Sequence, residues 1–383
     1  MSQVDWRQEP RAFWAEQAKS IAWYKPPQSV LEEHDDGSWT WFGDAELNTS
    51  YLALDHHVDS GRGDQLALIY DSPVTGRQQR WTYRELRDTV AQLAGALAGL
   101  GVVKGDRVVL YMPMVPEAAF AMLACARLGA VHSVVFGGFA PPELATRIDD
   151  AAPRLMLTAS CGIEGSKVLP YMPLVREALA LADKPPERVV VLERDEVPVT
   201  LQENELDWRT LVSLASPVGP VAVRGSDPLY VLYTSGTTGR PKGVQRDNAG
   251  HAVALRYSMQ AVYGAGPGDV FWAASDVGWV VGHSYIVYAP LLAGCTTILY
   301  EGKPVRTPDA GAFWRVIEEH GVNVFFTAPT AFRAIRKEDP DATGLQGRDL
   351  SALRAIFVAG ERLDPPTLEW LDNAVGKPVL DHW

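Results

Sequence analysis

Apolar residues recur along this chain at two spacings, and the two alternate. Leu86, Val90, Leu93, Leu97 and Leu100 repeat every three or four positions, the mark of one buried helix face, and Thr82 followed three residues later by Glu85 is a capping box that would start that helix. Gly99 or Gly101 would end it. Short apolar runs then predict strands at 107–111, 130–135 and 154–158, with helices at 116–128 and 142–150 between and after them. Such alternation predicts βαβ units and a parallel sheet, hence an α/β fold of mixed sheets flanked by helices. The pattern resumes with a strand at 229–233 that runs into a glycine-rich loop, strands at 322–326, 355–358 and 378–380, and helices at 310–320, 330–337 and 365–374. Two short strand-like runs, 66–70 and 81–83, flank the turn-rich stretch 71–76 and predict a hairpin where the main domain begins. Residues 1–60 carry five of the twelve tryptophans and few recognisable strands, and read as a small N-terminal cap on a domain of residues 61–383.

Composition narrows the class. At 383 residues and 47% hydrophobic content the chain can bury a large core. Cys125, Cys161 and Cys295 are odd in number and widely spaced, so they offer neither a disulfide framework nor a CxxC pair. They read as small buried residues in a reducing, cytoplasmic compartment rather than as nucleophiles. A formal charge of −12 repels nucleic-acid phosphates and argues against such a partner. Charged residues scattered through the first twenty positions leave no apolar core for a signal peptide. Between Asp276 and Glu301 there is no charged side chain, a length that suits a membrane span, but Gly278, Gly282, His283, Pro290 and Gly294 interrupt it. A buried segment of a soluble protein, with no membrane partner, is the expectation.

One loop carries chemistry. Thr234-Ser-Gly-Thr-Thr-Gly-Arg-Pro-Lys-Gly243 gathers hydroxyls, glycines and two cations within ten residues. Glycines let backbone N–H groups turn toward an anion, the hydroxyls add donors, and Lys242 places a point charge on phosphate oxygens. Pro241 before the lysine and Gly243 after it exclude a Walker A loop, and no GxGxxG follows a strand. Against these stands the plain alternative of a solvated surface loop.

The stretch Tyr233 to Val244 resembles the phosphate loop of the adenylate-forming enzymes, the family of acyl-CoA synthetases, luciferases and peptide-synthetase adenylation domains. Phe136-Gly-Gly-Phe139, Asp276-Val-Gly-Trp-Val-Val-Gly-His-Ser-Tyr285, Thr327-Ala-Pro-Thr-Ala-Phe-Arg333, Ala359-Gly-Glu-Arg-Leu363 and Asp381-His-Trp383 narrow the resemblance to the short-chain acetyl- and propionyl-CoA synthetases. Leu66 to Gly76 and Arg246 to Ala254 are most similar to propionyl-CoA synthetases, and the resemblance covers essentially the whole chain.

That resemblance implies an AMP-forming acid–thiol ligase using ATP, Mg²⁺ and CoA on a short-chain carboxylate, propionate before acetate. It implies catalytic roles for Thr234 and Lys242, and ATP binding by Thr234, Ser235, Gly236, Thr237, Thr238, Gly239, Lys242, Gly360, Glu361, Arg362, Asp381, His382 and Trp383. Trp279, Val280, Val281 and Gly360 match an acyl pocket, and Val281 stands where acetyl-CoA synthetases commonly carry threonine. Gly137, Gly138 and Lys167 match positions that meet CoA, although Glu164 occupies a second position where relatives place an arginine. No residue is implied as a metal ligand. His283 and Trp279 each leave two readings open, site residue or core. Relatives continue past position 383 into a mobile C-terminal domain bearing a lysine for adenylation, so the expectation is a truncated large domain of weak or no turnover. The alternative is a catalytically incompetent fragment that binds nucleotide or acyl adenylate.

Overall fold

Two seven-stranded sheets form the body of the structure, a computed structural model that describes residues 5–234 and 241–382. The first runs, edge to edge, through Glu205–Asp207, Arg188–Leu192, Leu155–Ala159, Arg107–Tyr111, Val131–Val134, Pro228–Thr234 and Lys242–Asp247. The second runs through Val379–Asp381, Ala355–Val358, Val324–Thr327, Val270–Ala274, Thr296–Tyr300, Leu66–Ser72 and Arg77–Thr82. In each, the last strand named pairs antiparallel with its neighbour and every other pairing is parallel.

Strand side chains alternate between faces, and here both faces are buried. Val108 and Leu110 point into a central core, while Val109 and Tyr111 point into a second one. In the other sheet Phe271 and Ala273 join the central core and Trp272 a third. Helices Tyr83–Gly99 and Pro116–Leu128 contribute to the central core that both sheets share. Pro141–Ala151 and Met172–Leu181 cover the far face of the first sheet through Leu144, Ile148 and Val175. Ala312–Glu319, Pro329–Glu338 and Pro365–Val375 cover that of the second through Trp314, Phe332 and Leu371. The capping box forms as expected: the Thr82 hydroxyl accepts from the Glu85 N–H, and the Glu85 carboxylate accepts from the Thr82 N–H.

Three segments differ from the sequence expectation in instructive ways. Lys242–Asp247 is a strand, so the glycine-rich segment connects a hairpin whose Thr234 and Lys242 face each other across the ladder. Cys161–Glu164 and Lys167–Pro170 form a second hairpin that periodicity did not reveal, because each arm has only four residues. The charge-free stretch breaks into a short helix Val280–Gly282, a π-helical turn His283–Tyr288, a helix Ala289–Ala293 and the strand Thr296–Tyr300. No helix among the described residues is long and apolar enough to cross a membrane. The tryptophan-rich N-terminal segment holds helix Pro10–Ala18, whose Phe13 and Trp14 pack edge-on against Tyr257 with ring centroids 5.3 and 5.4 Å away.

Candidate active site

Parallel strands present their carboxyl ends along one edge, and loops leaving that edge are where α/β sheets bind ligands. Here the carboxyl edges of both sheets open onto one cleft of about 430 Å³. The first sheet supplies Met112 to Met114 after Arg107–Tyr111, and Phe136 to Gly138 after Val131–Val134; the second supplies Ser275 and Asp276 after Val270–Ala274, and Glu301 to Pro304 after Thr296–Tyr300. Gly137 and Gly138 lie in this wall at close quarters: a Cβ on Gly137 would sit 2.2 Å from the Tyr171 hydroxyl oxygen, and one on Gly138 2.5 Å from the Phe136 ring, so either ring would have to shift to admit a side chain. Trp279 is 51% exposed, lines the cleft and packs on Phe136 at 5.7 Å between ring centroids, so it is a wall residue rather than core.

Two carboxylates in the cleft wall were missed as individual residues. Asp276 takes a 2.7 Å hydrogen bond from the Gly278 N–H, yet burial holds its pKa above the usual carboxylate range. Glu301 is 4% exposed; Arg194 reaches its two oxygens at 2.7 and 3.1 Å, and the Tyr70 and Ser72 hydroxyls donate at 2.5 and 2.9 Å. With its lone pairs so engaged, Glu301 serves as an anchor for the cleft floor. Asp276 opens one of the motifs that carried the resemblance, a signal that could have singled it out; Glu301 shows itself in sequence only as the end of the charge-free run.

The hairpin mouth formed by Thr234 and Lys242 lies at the same end of the first sheet, one strand over from the Phe136–Gly138 wall. Both residues are exposed, and Lys242 has no carboxylate within ion-pair distance among the described residues. The strand leading to them is held by the Tyr233 hydroxyl, which donates to Asp150 at 2.5 Å. Ser235, Gly236, Thr237, Thr238 and Gly239 lie outside the described residues, as does Trp383.

Gly360, Glu361 and Arg362 leave the second sheet at its carboxyl edge, where register aligns Thr327, Val358 and Asp381 across three strands. Gly360 has φ +95°, a conformation that L side chains rarely adopt. Arg333 ties this loop down, meeting Glu361 at 3.0 Å and Asp364 at 2.7 Å and donating to the Arg362 carbonyl at 3.0 Å. Asp381 accepts from the Leu363 N–H at 2.9 Å, and His382 bonds the Val358 carbonyl at 2.7 Å and the Tyr263 hydroxyl at 2.9 Å. Val280 is 49% exposed and Val281 half-buried against the central core; neither lines the cleft, nor does Gly360. Lys167 sits on the small hairpin opposite Glu164, which does line it.

His283 takes the core reading. It is fully buried, stacks on His132 at 5.4 Å, and burial pushes its pKa down to about 4. All three cysteines are buried; burial lifts the Cys125 and Cys295 thiols to about 12, far from a reactive thiolate.

A sequence profile described as "AMP-binding enzyme" matches residues 54–383, and one described as "Acetyl-coenzyme A synthetase N-terminus" matches residues 5–53. The chain belongs to the AMP-binding, adenylate-forming family. Within it the chain falls in the short-chain acetyl-/propionyl-CoA synthetase branch. It is 62% identical to an uncharacterized protein, PA3568, of Pseudomonas aeruginosa, over 98% of this chain and 60% of that one. It is 51% identical to human mitochondrial acyl-CoA synthetase short-chain family member 3, over 98% of this chain and 55% of that one. It is 46% identical to the propionate–CoA ligase of Salmonella typhimurium, over 98% and 60%. The structure superposes on acetoacetyl-CoA synthetase from Streptomyces lividans with a TM-score of 0.88 at 29% identity, over 98% of this chain and 57% of that one. The chain thus spans 55–60% of the length of these three curated relatives.

Proposed function

We propose that the protein activates a short-chain carboxylate, propionate before acetate, by ATP-dependent adenylation and passes the acyl group to CoA. In the first step a carboxylate oxygen attacks the α-phosphorus, a new O–P bond forms, and the α–β bridge breaks to release pyrophosphate. The carboxylate is already ionised at neutral pH, so no general base is needed and catalysis reduces to positioning and charge neutralisation. In the second step the CoA sulfur attacks the acyl carbon, AMP leaves with the bonding electron pair, and the thiol proton is lost to solvent.

The residue roles proposed here rest on the motif resemblance, with position in the fold as support where the residue is described. Lys242 and Thr234, at an exposed hairpin mouth with the glycine and hydroxyl residues between them, would neutralise and orient the β- and γ-phosphates. Gly360 to Arg362 with Asp381 and His382 would flank the adenine along the second sheet. Trp279 would face the acyl group from the cleft wall; Val280, Val281 and Gly360 do not line the cleft and keep only the acyl-pocket role that the family resemblance implies, and Gly137, Gly138 and Lys167 would meet CoA. Mg²⁺ would enter with the triphosphate. The cluster of Asp71, Glu319 and His320 does not fit it, since Arg315 already occupies both carboxylates and one donor is an imidazole.

The convergence of both sheets' carboxyl edges on one cleft is the observation that carries this reading. Propionate-dependent exchange of labelled pyrophosphate into ATP tests it. Exchange is expected of the full-length enzyme and weak or absent exchange of this chain alone; in the full-length enzyme Lys242→Ala should lower it about a hundredfold or more through lost charge stabilisation while leaving the melting temperature unchanged. A full-length protein that binds a propionyl-sulfamoyl adenylate but shows no exchange would be a binding module instead.

A further inference from the structure

At the opposite end of the strands from the cleft, a small cavity of about 90 Å³ lies between the N-terminal cap and the main domain. Pro267 and Ala293, which line it, precede the strands Val270–Ala274 and Thr296–Tyr300, so it sits at their amino ends, where no role given above is placed. The cap reaches it through Ser20 and Ile21. Arg62, at the end of the π-helical turn Val58–Arg62, and Arg256, on helix Ala249–Ala261, line it together with His56 and His57. Two cations and two imidazoles thus share a wall that holds no carboxylate among the described residues, on a chain whose overall charge is −12.

Both guanidiniums are held in place by neutral partners. The buried His57 ring donates from Nε2 to the Leu291 carbonyl at 2.6 Å, which leaves Nδ1 to accept from Arg62 Nε and Nη2 at 3.1 and 2.9 Å. Arg256 donates to the Ala293 carbonyl at 3.3 Å. Neither arginine has a carboxylate within ion-pair distance among the described residues. Asp55, next to His56 in the chain, is engaged by Arg127 at 2.7 Å, and Asp59, whose charge reaches His56, does not line the cavity. Burial, and then the charge of Arg62, lower the Arg256 pKa, as expected of like charges brought together with no anion between them. Half-buried guanidiniums without a counter-charge are costly, and each keeps N–H donors for bidentate contact with an oxyanion. The cavity is far smaller than the roughly 300–1,000 Å³ that drug-sized organic ligands occupy, so its chemistry and its size both select a small ion.

We propose that Arg62 and Arg256 bind one small tetrahedral oxyanion of the phosphate type, which ties the N-terminal cap to the main domain. Occupancy at the amino ends of the strands is independent of adenylation at their carboxyl edge. Inorganic phosphate is the probe, and thermal melts in phosphate and in chloride of equal ionic strength test the site on the wild type, Arg62→Gln, Arg256→Gln, Arg256→Lys and Lys242→Ala, each referred to its own melt in chloride. Phosphate at about 20 mM is expected to raise the wild-type melting temperature by about 2–4 °C, with calorimetric titration giving a single site. Arg62→Gln and Arg256→Gln should lose that shift and weaken phosphate about tenfold or more. Arg256→Lys keeps the charge and should keep part of the shift, which separates loss of the anion from loss of the fold. Lys242→Ala should keep all of it, which separates this cavity from phosphate held at the hairpin. A wild type without the shift overturns the site. So does a shift that survives in Arg256→Gln, as a general effect of a kosmotropic salt would, one lost equally in Arg256→Lys, or one that vanishes in Lys242→Ala.

Discussion

Single residues in and behind the cleft do different work, and their surroundings say which. Val281 packs on the central core beside the exposed Trp279 and Val280, with a methyl where a threonine would place a hydroxyl. On the acyl-pocket role proposed for it, Val281→Thr would weaken apolar packing around the third carbon of propionate from behind the cleft wall; a methylene is worth about 1–3 kcal/mol, so the propionate-to-acetate ratio of kcat/KM should fall about tenfold. Measuring that ratio with both acids checks it, and an unchanged ratio would take Val281 out of the acyl pocket. Behind the floor, Asp71 behaves as a structural charge. Burial alone would raise its pKa, but hydrogen bonds from His320 and Arg315 outweigh burial and hold it at about 2. Because the folded value lies below the unfolded one, its stabilisation is present above pH 4 and is lost as the pH falls from 4 toward 2. Its size is roughly 2 kcal/mol from the shift alone. Urea unfolding of wild type and Asp71→Asn should therefore show a gap at pH 6 that begins to narrow as the pH approaches 4.

At the scale of elements, the loop from Gly360 to Asp364 depends on a helix that never contacts the cleft through its Arg333. Helix Pro329–Glu338 projects Arg333 onto Glu361, Asp364 and the Arg362 carbonyl, so a sequence-remote element fixes the loop at the carboxyl edge of the second sheet, where adenine is proposed to lie. These ion pairs are partly solvated and worth about 1 kcal/mol or less, so Arg333→Gln should barely move the melt. Loosening the loop should nevertheless raise the Kd for ATP several-fold, read by titration; equal affinity would mean that the loop holds its shape unaided. The elements most legible in sequence were those with their own local grammar. The Thr82 capping box, the hairpin around residues 71–76 and the strand at 107–111 needed no partner to be recognised. What stayed hidden depends on distant chain: Lys242–Asp247 reads as loop until Pro228–Thr234 is beside it, and the Cys161–Pro170 hairpin is too short for periodicity. The π-helical turn at His283–Tyr288 carries no local signal either, since its side chains are buried on nearly every side. Likewise the glycine-rich segment pointed to phosphate chemistry from residue types alone, whereas Glu301 became visible as a cleft residue only once Arg194, more than a hundred positions away, closed on it.

The molecule as a whole brings two sheets edge to edge over one cleft, and the price of joining them is a buried layer that contains imidazoles. His132, His251 and His283 gather around Tyr230, with ring centroids 5.5, 5.4 and 4.7 Å from it, and His57 lies under the first helix of the central core against Tyr83. Burial drives His251 down to about 3, His57 to about 3 and His283 to about 4, and holds His132 well below its ordinary value. All four are therefore neutral in the folded protein near neutral pH. They contribute nothing to the pH dependence above 6.5, because both states are then deprotonated. Below 6.5 the unfolded chain takes up protons that the folded chain refuses, so stability falls, by about 1.4 kcal/mol per pH unit for each imidazole, until the folded values of about 3 for His251 and His57 and about 4 for His283 are reached. This window lies above that of Asp71, so the two can be separated. Urea midpoints should be flat from pH 8 to 7 and drop steeply from 6 to 5. His251→Phe replaces a ring whose two buried nitrogens have no partner among the described residues by one that keeps the edge-on packing against Tyr230 and Tyr288. Its pH 6-to-5 slope should be shallower by about one proton, while the wild-type slope would persist unchanged if His251 were protonated in the folded state.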